Sequence, residues 1–494
     1  MKIVFLASVA FLLTAAAPDK SPDAPVFRFS LSIDPTPPDP RKINSSESNY
    51  FFVNIYRGLF FVDQDGRLQP EFAQRCRWVK PHSVLKCQLK KGLKWSDGSA
   101  LTAAHFVESW DRLKAPSTRG LGLALVSNIK SARAISETEL EVLLEKNDGE
   151  FMEKLAHPVF VATKSSTEFT RENFHEAPVS GPYRVTSWKS GQMVRLEPNP
   201  YYGKKSRRPP VEILRLDDDE TALNLYREGT LTFLRRLPTH YLKAWSASKE
   251  LHQIPVQRFD YIGFGPSLRK FPELRKALAL SLKFDELQSI YSSLGLPGCP
   301  SIDPAWMNKT PCHEFDIERA KKIWAGLPKE LREKRWELHF SKLGGADIQV
   351  GMEWVQNQWK KHLGANIELK PMEQAVYLSN LKLQPPDIFR KGVGLDRATC
   401  LAAVEIFSKQ DPENFIQLDS KVYEAAIEEL QKAPTAAAKK KACTKVVTLL
   451  IENAEIIPMG RIHFSVLAKP VFTGWTLNPL NQLDLSSLQV RDLD

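Results

Sequence analysis

Apolar residues follow two rhythms along this chain, and the change from one to the other repeats from end to end. The clearest change lies between residues 90 and 113. Lys90-Lys91-Gly92-Leu93-Lys94-Trp95 reads as a strand end, and Ser96-Asp97-Gly98 supplies the acceptors and free backbone that a turn needs. Phe106, Val107, Trp110 and Leu113 then recur at helical spacing, with Thr102 placed to cap the helix. Further on, Val211-Glu212-Ile213-Leu214-Arg215-Leu216 alternates as a half-buried strand does. Asp217-Asp218-Asp219-Glu220 opens a helix through Tyr226 that stops at Gly229, because carboxylates are favoured at the positive end of a helix dipole. That use suffices for the acidic run, and no metal site is read there.

A helix is expected over 272–282, opened by Pro272. Ile348, Met352, Val355, Trp359 and Leu363 form one apolar helix face that ends at Gly364, and Asn366-Ile367-Glu368-Leu369-Lys370 follows as a strand. Helices over about 420–432 and 436–453 precede the apolar strand Ile456-Ile457-Pro458-Met459. Residues 26–89 read as short strands and turns, and Ser180-Gly181-Pro182-Tyr183-Arg184-Val185 leads into alternating strands up to Leu196. Strands alternating with helices in both halves predict α/β lobes, and no internal repeat is present.

At roughly 150 residues per domain, 494 residues make about three domains. The chain is 43% hydrophobic and 26% charged, so disorder is expected only near Pro18, Pro22, Pro25, Pro35, Pro37, Pro38 and Pro40. A net charge of +10 raises the question of a nucleic-acid partner. Lys and Arg, however, are dispersed among 58 acidic residues, and runs such as Lys439-Lys440-Lys441 read as solvated helix faces, so no nucleic acid is expected. Lys2, the apolar run over 3–13 and Thr14-Ala15-Ala16-Ala17 make a secretory signal peptide, residues 1–17, with cleavage expected after Ala16 or Ala17. No cysteine stands near that junction, so no lipid anchor is expected, and no other run is long enough to span a bilayer. The mature chain is expected to be soluble, periplasmic and monomeric.

Export permits disulfides. Cys76, Cys87, Cys299, Cys312, Cys400 and Cys443 are even in number, and the sequence alone leaves their pairing open. Local pairing is simplest: Cys76 with Cys87 across the turn Pro81-His82-Ser83, Cys299 with Cys312 around a proline-rich loop, and Cys400 with Cys443. No Cys-x-x-Cys occurs, so zinc is not expected.

The ordered string Lys91-Gly92, Trp95-Ser96-Asp97-Gly98, Leu101-Thr102-Ala103 and Ser109-Trp110 resembles the signature segment of the periplasmic oligopeptide- and dipeptide-binding proteins, the extracellular solute-binding family 5 of ABC importers. Gly181-Pro182-Tyr183, Asn199-Pro200-Tyr201-Tyr202, Asp219-Glu220-Thr221-Ala222, Arg275-Lys276-Ala277-Leu278-Ala279 and Glu455-Ile456-Ile457-Pro458-Met459 are similar to further blocks of that family, in family order. Each block alone is weak; the ordered series covers nearly the whole mature chain.

The resemblance implies an α/β, two-lobed periplasmic binding protein with a hinge and a third domain inserted in the first lobe. The first lobe would hold 25–50, 175–265 and 470–494, the inserted domain 51–174, and the second lobe 266–469. Hinges would lie near Gly265 and Lys469. Phe389-Arg390-Lys391-Gly392-Val393-Gly394-Leu395-Asp396 resembles the family's strand that pairs with a bound peptide and ends in an aspartate for its amino terminus. Gly392, Val393, Gly394 and Leu395 would then meet the peptide backbone, the glycines allowing close approach, and Asp396 would hold the ammonium. Ser46, Asn49 and Tyr261 stand where the family brings the first lobe and the hinge strand to the ligand. The chain departs from the family at Arg397-Ala398-Thr399-Cys400, at Gly265 and at Ser281-Leu282-Lys283-Phe284, which keeps open a nickel chelate, haem, an opine or a sugar as ligand, or a sensor's role at a membrane receptor. No cofactor is implied. His-Glu-x-x-His, Gly-x-Ser-x-Gly, Walker and Gly-x-Gly-x-x-Gly motifs are missing, and Asp63-Gln64-Asp65-Gly66 is a turn without later calcium ligands, so no enzyme is expected.

Overall fold

The computed structural model describes residues 25–32, 48–115, 121–164, 170, 172–203, 207–284, 286–287, 302, 315–343, 346–433 and 435–491. Residues 1–24, with the expected signal peptide, Ser46, Cys299 and Cys312 lie outside them. The described chain forms two α/β lobes around three main sheets. In the first sheet Phe27–Leu31 lies parallel to Val211–Arg215, and Met193–Pro198 and Tyr183–Lys189 follow antiparallel. The second is wholly antiparallel, in the order Ala73–Lys80, Val84–Leu89, Glu139–Leu144, Ile129–Ser136. These two sheets share one core in which Phe27, Phe51, Trp95, Trp110 and Tyr183 are buried.

The third sheet has six strands in the order Phe233–Leu234, Ile456–Ala468, Leu251–Phe264, Ile388–Gly394, Arg335–Ser341, Asn366–Met372. One face packs on the helix Ala346–Leu363 through Met352, Val355 and Trp359. The other packs on Lys421–Lys432 and Ala436–Glu452 through Tyr423, Ile427 and Val446. Helices thus cover this sheet on both faces. Leu251–Phe264 and Ile456–Ala468 are the long strands joining the lobes: they meet Phe233–Leu234 at one end and the six-stranded core at the other. Their register slips between Pro255 and Phe259 and again between Asp260 and Tyr261.

Local expectations hold where period and caps agree. The helix Ala103–Leu113 is capped by Thr102, whose N–H donates to the His105 ring, and the helix Ala346–Leu363 ends at Gly364 with φ of +68°. The acidic run opens the helix Asp219–Arg227, with Asp218 accepting from the Thr221 N–H. Two readings are corrected. Residues 48–55 are not strand and turn but the helix Ser48–Ile55; all but Asn49 are buried, so no polar face exists to reveal a helical period. The strand begun at Ile456 runs on to Ala468, because its second half pairs between two neighbours across the lobe junction. Disulfides join Cys76 to Cys87 within the Ala73–Leu89 hairpin and Cys400 to Cys443 between two helices. Among the described residues, no helix is long and apolar enough to cross a membrane.

Candidate binding cleft

A cavity of about 330 Å³ opens between the lobes where the long strands cross. The first lobe contributes Arg235, Arg236, Leu237 and Thr239, just beyond Phe233–Leu234, together with Asn481. The long strands contribute Arg258, Ile462, His463 and Phe464. The second lobe closes it with Ser341, Ile348, Tyr377, Leu378, Arg390, Gly392 and Gly394. At the rim the lobes touch through a hydrogen bond from the Thr239 hydroxyl to the Asp347 carboxylate.

Strand alternation decides which side chains face this space. Arg258 pairs with Gly394, Asp260 with Gly392 and Ile262 with Arg390, so Arg258, Asp260 and Arg390 share one face. Phe259, Tyr261, Phe389 and Val393 occupy the other and are buried in the core beneath. Arg390 and Asp260 form a fully buried ion pair, and Arg258 Nε lies 3.8 Å from the second Asp260 oxygen. Burial, and then the neighbouring charge of Arg258, hold the Arg390 guanidinium well below its ordinary pKa. A Cβ at Gly392 would stand 2.8 Å from Arg258 Nη2 and 2.8 Å from Asp260 Oδ1, so this glycine makes room for the two guanidinium groups. At Gly394 the space is open.

The strand Ile388–Gly394 also presents backbone. On the side away from Leu251–Phe264, its pairing with Arg335–Ser341 reaches only Ile388 and Phe389. Beyond that point the edge borders the cavity. The Tyr377 hydroxyl donates to the Arg390 carbonyl, and Lys391 Nζ donates to the Gly392 carbonyl at 3.3 Å.

The residues expected at the ligand are therefore divided. Gly392 and Gly394 line the cavity. Val393 points into the core, and Leu395 is held beside the strand by its N–H donating to Gln257 O at 2.9 Å. Tyr261 does not reach the cavity: it is fully buried between Phe389 and Phe407, and burial raises its hydroxyl well above the usual range. Asn49 sits on the helix Ser48–Ile55 without lining the cavity. Asp396 does not line it either. Its two carboxylate oxygens accept from Arg397 Nη1 at 2.8 and 2.9 Å.

Arg397 is the centre of a buried cluster that ties the segment after Ile388–Gly394 to Glu150, distant in sequence. Its Nε lies 2.6 Å from Glu150 Oε2, which also accepts from the Thr399 hydroxyl at 2.8 Å, and its Nη2 pairs with Glu405. Burial works against the guanidinium charge, but Asp396, Glu405 and Glu150 together hold its pKa well above the ordinary value. Burial raises Glu405.

Sequence reasoning did not single out Arg235, Arg236, Arg258 or Arg390. A signal was present, since Arg258 and Arg390 stand within segments rich in apolar residues, Phe259-Asp260-Tyr261-Ile262 and Ile388-Phe389, and the Arg235-Arg236 doublet follows the buried pair Phe233-Leu234. A charge within a strand covered on both faces needs a partner or a ligand.

The likeness to known proteins agrees with this geometry. The model of the bacterial extracellular solute-binding proteins, family 5, matches residues 67–414. The probable deoxycholate-binding periplasmic protein YgiS of Escherichia coli is 25% identical over 531 aligned positions, covering 99% of this chain and 98% of that relative. The periplasmic oligopeptide-binding protein OppA of Salmonella typhimurium is 23% identical, covering 92% and 90%. In structure, the ABC transporter substrate-binding protein CtaP of Listeria monocytogenes superposes with a TM-score of 0.81 at 19% identity, over 95% of this chain and 99% of that one. A family model matching well over half of the chain, on a fold of two lobes closing on a cleft, places this protein among the bacterial extracellular solute-binding proteins of family 5.

Proposed function

We propose that this protein, once exported to the periplasm and freed of residues 1–17, captures a small peptide between its lobes and delivers it to the permease of an ABC importer, catalysing no reaction itself. The observation that carries the reading is the strand edge from Arg390 to Gly394, which borders the interlobe cavity beyond its last strand partner. An extended peptide can satisfy its N–H and C=O groups on such an edge without its side chains being read. The name of the Salmonella relative supports peptide as the solute class. Closure would bend the two long strands at the register slip between Pro255 and Phe259 rather than at Gly265. At Gly265 a Cβ would fall 2.1 Å from the Pro386 carbonyl oxygen, a contact that leaves the backbone little freedom. Within this reading Asp396 receives the peptide ammonium only after giving up Arg397.

Native mass spectrometry of the protein purified from the periplasm, followed by denaturing release, tests the reading. A ladder of adducts resolving into short peptides is the expected result. A single discrete non-peptide adduct would overturn it and favour the second reading, a specialised solute, which the name of the Escherichia coli relative supports.

A further inference from the structure

Capture by a strand edge reads no side chain, but the walls around that edge do, given the peptide reading proposed above. The strands Arg335–Ser341 and Asn366–Met372 are parallel, with Ser341 level with Met372. Their carboxyl ends meet the cavity through Ser341, Leu343 and Gln374. Open α/β sheets seat ligands at the carboxyl ends of their strands. Two helices, Ala346–Leu363 and Gln374–Leu383, begin at this same wall. A helix start ordinarily offers its N–H groups to an anion. Here each start carries a carboxylate of its own. Glu373 accepts from the Ala375 and Val376 N–H groups at 2.8 and 3.2 Å. Asp347 stands in the first turn of the longer helix and accepts from the Thr239 hydroxyl. The side chains that these helices add to the wall are then mainly apolar. They are Ile348 from one, and from the other Leu378 and Tyr377, whose hydroxyl already donates to the Arg390 carbonyl.

Leu343 adds a second observation. It is 66% exposed, whereas every other apolar residue of the described wall is buried or half-buried. Most of this side chain stands in water, and an apolar group seated in the cavity would take it out of water.

The six-stranded sheet divides the wall in two. Ile348 and Ile462 belong to the core on the face covered by Ala346–Leu363. Leu378 packs on the core of the opposite face. An extended chain on the strand edge beyond Phe389 sends successive side chains to opposite faces. On the Ile348 face the Arg390 guanidinium is answered from within the protein by Asp260.

We infer that the cleft selects peptides with two consecutive large apolar residues, one side chain against Ile348 and Ile462 and the next against Leu378, and that Leu343 sets this preference at the rim. A polar side chain in either place loses water against apolar groups and finds no partner in them, so it is disfavoured.

The test uses the full mature protein, freed of bound solute by partial unfolding and refolded. Tripeptides of one net charge (trileucine, triserine, Leu-Leu-Ser, Ser-Leu-Leu and Leu-Ser-Leu) are titrated into it by calorimetry. Trileucine should bind at least tenfold tighter than triserine, a difference that burial of one leucine side chain suffices to give. Leu-Leu-Ser or Ser-Leu-Leu should bind at least threefold tighter than Leu-Ser-Leu, which has the same composition without an adjacent pair. Leu343→Ser, at an exposed position, should cut the trileucine-to-triserine ratio at least threefold, and Leu378→Ala should cut it independently. Triserine bound as tightly as trileucine, Leu-Ser-Leu bound as tightly as both of its isomers, or a ratio untouched by Leu343→Ser would overturn the inference. The two readings fail separately. Tripeptides of every composition bound alike keep peptide capture and remove side-chain selection, whereas no tripeptide bound at all removes peptide capture and the inference with it.

Discussion

Replacing Arg397 by methionine is the sharpest probe of how the segment around Glu150 is locked to the segment after Ile388–Gly394. The guanidinium is 2% exposed and meets Glu150, Asp396 and Glu405. Methionine keeps much of the volume but leaves three carboxylates around a site from which the cation they share has gone. Removing one partner of a buried ionic cluster costs about 3–5 kcal/mol. Glu150→Gln is the contrasting change, because it keeps an acceptor for Thr399 and still leaves Arg397 with two carboxylates; about 1 kcal/mol is expected. The double variant should be more stable than the sum of the two losses predicts, since one of the stranded charges is gone. Acid should help the Arg397→Met protein. Glu405 already titrates above its ordinary value because of burial. A carboxyl raised in the folded state binds its proton there before it does in the unfolded chain, so stability is gained as pH falls through the raised value and is lost as pH rises. Without Arg397 the lowering that it exerts on Glu405 is lost, and the deficit at pH 7.5 should shrink by pH 5. Urea titrations followed by tryptophan fluorescence at both pH values measure these quantities. A loss below about 1 kcal/mol, the scale of an exposed pair, or a loss unchanged by pH, would refute the account.

Two further expectations concern the cleft and its surroundings. Gly392→Ala should weaken binding of a short peptide about tenfold by displacing Arg258, while Gly394→Ala, facing open space, should stay within about twofold; calorimetry with equal losses at both sites would contradict the glycine's assigned reason. His157 is buried, accepts from the Val159 N–H at Nδ1, and is pushed down to about 4 by burial, which Asp396 only partly offsets. The unfolded chain therefore binds this proton first, and stability falls as pH drops from about 6.5 to 4, by a total of about 3 kcal/mol. His157→Asn retains an acceptor and should flatten that decline relative to the parent; parallel pH profiles would show that the ring carries no such cost.

Much of the architecture was legible because local signals agreed with one another. Thr102, the Phe106-Val107-Trp110-Leu113 stripe and the Asp218 cap specify helix starts through backbone hydrogen bonds that any fold must satisfy, and the structure places those helices within a residue or two. The hairpin around His82, the helix stop at Gly364 and the strand at Asn366–Met372 follow from equally short-range causes. The helix Ser48–Ile55 was hidden by its own burial: with almost every side chain buried, helix and strand look alike until Asn54 is seen bonding Leu483 and Leu485 near the other end of the chain.

The candidate site was less legible, and for a physical reason. The resemblance to the family located the strand that borders the cleft and its glycines. It could not say which face of that strand meets the cavity. A register pairing Arg258 with Gly394 and Ile262 with Arg390 turns Arg258 and Arg390 toward the ligand space and Tyr261 into the core; a slip of one residue would have reversed both. The sequence allows Asp396 either a ligand's ammonium or its neighbour Arg397, and Glu150, distant in sequence, joins the pairing with Arg397. Local hydrogen bonding and periodicity are written residue by residue, so the sequence by itself determined the elements and the family. Which side chains meet at a cleft depends on strand register and on segments far apart in the chain, and only the tertiary structure decided it.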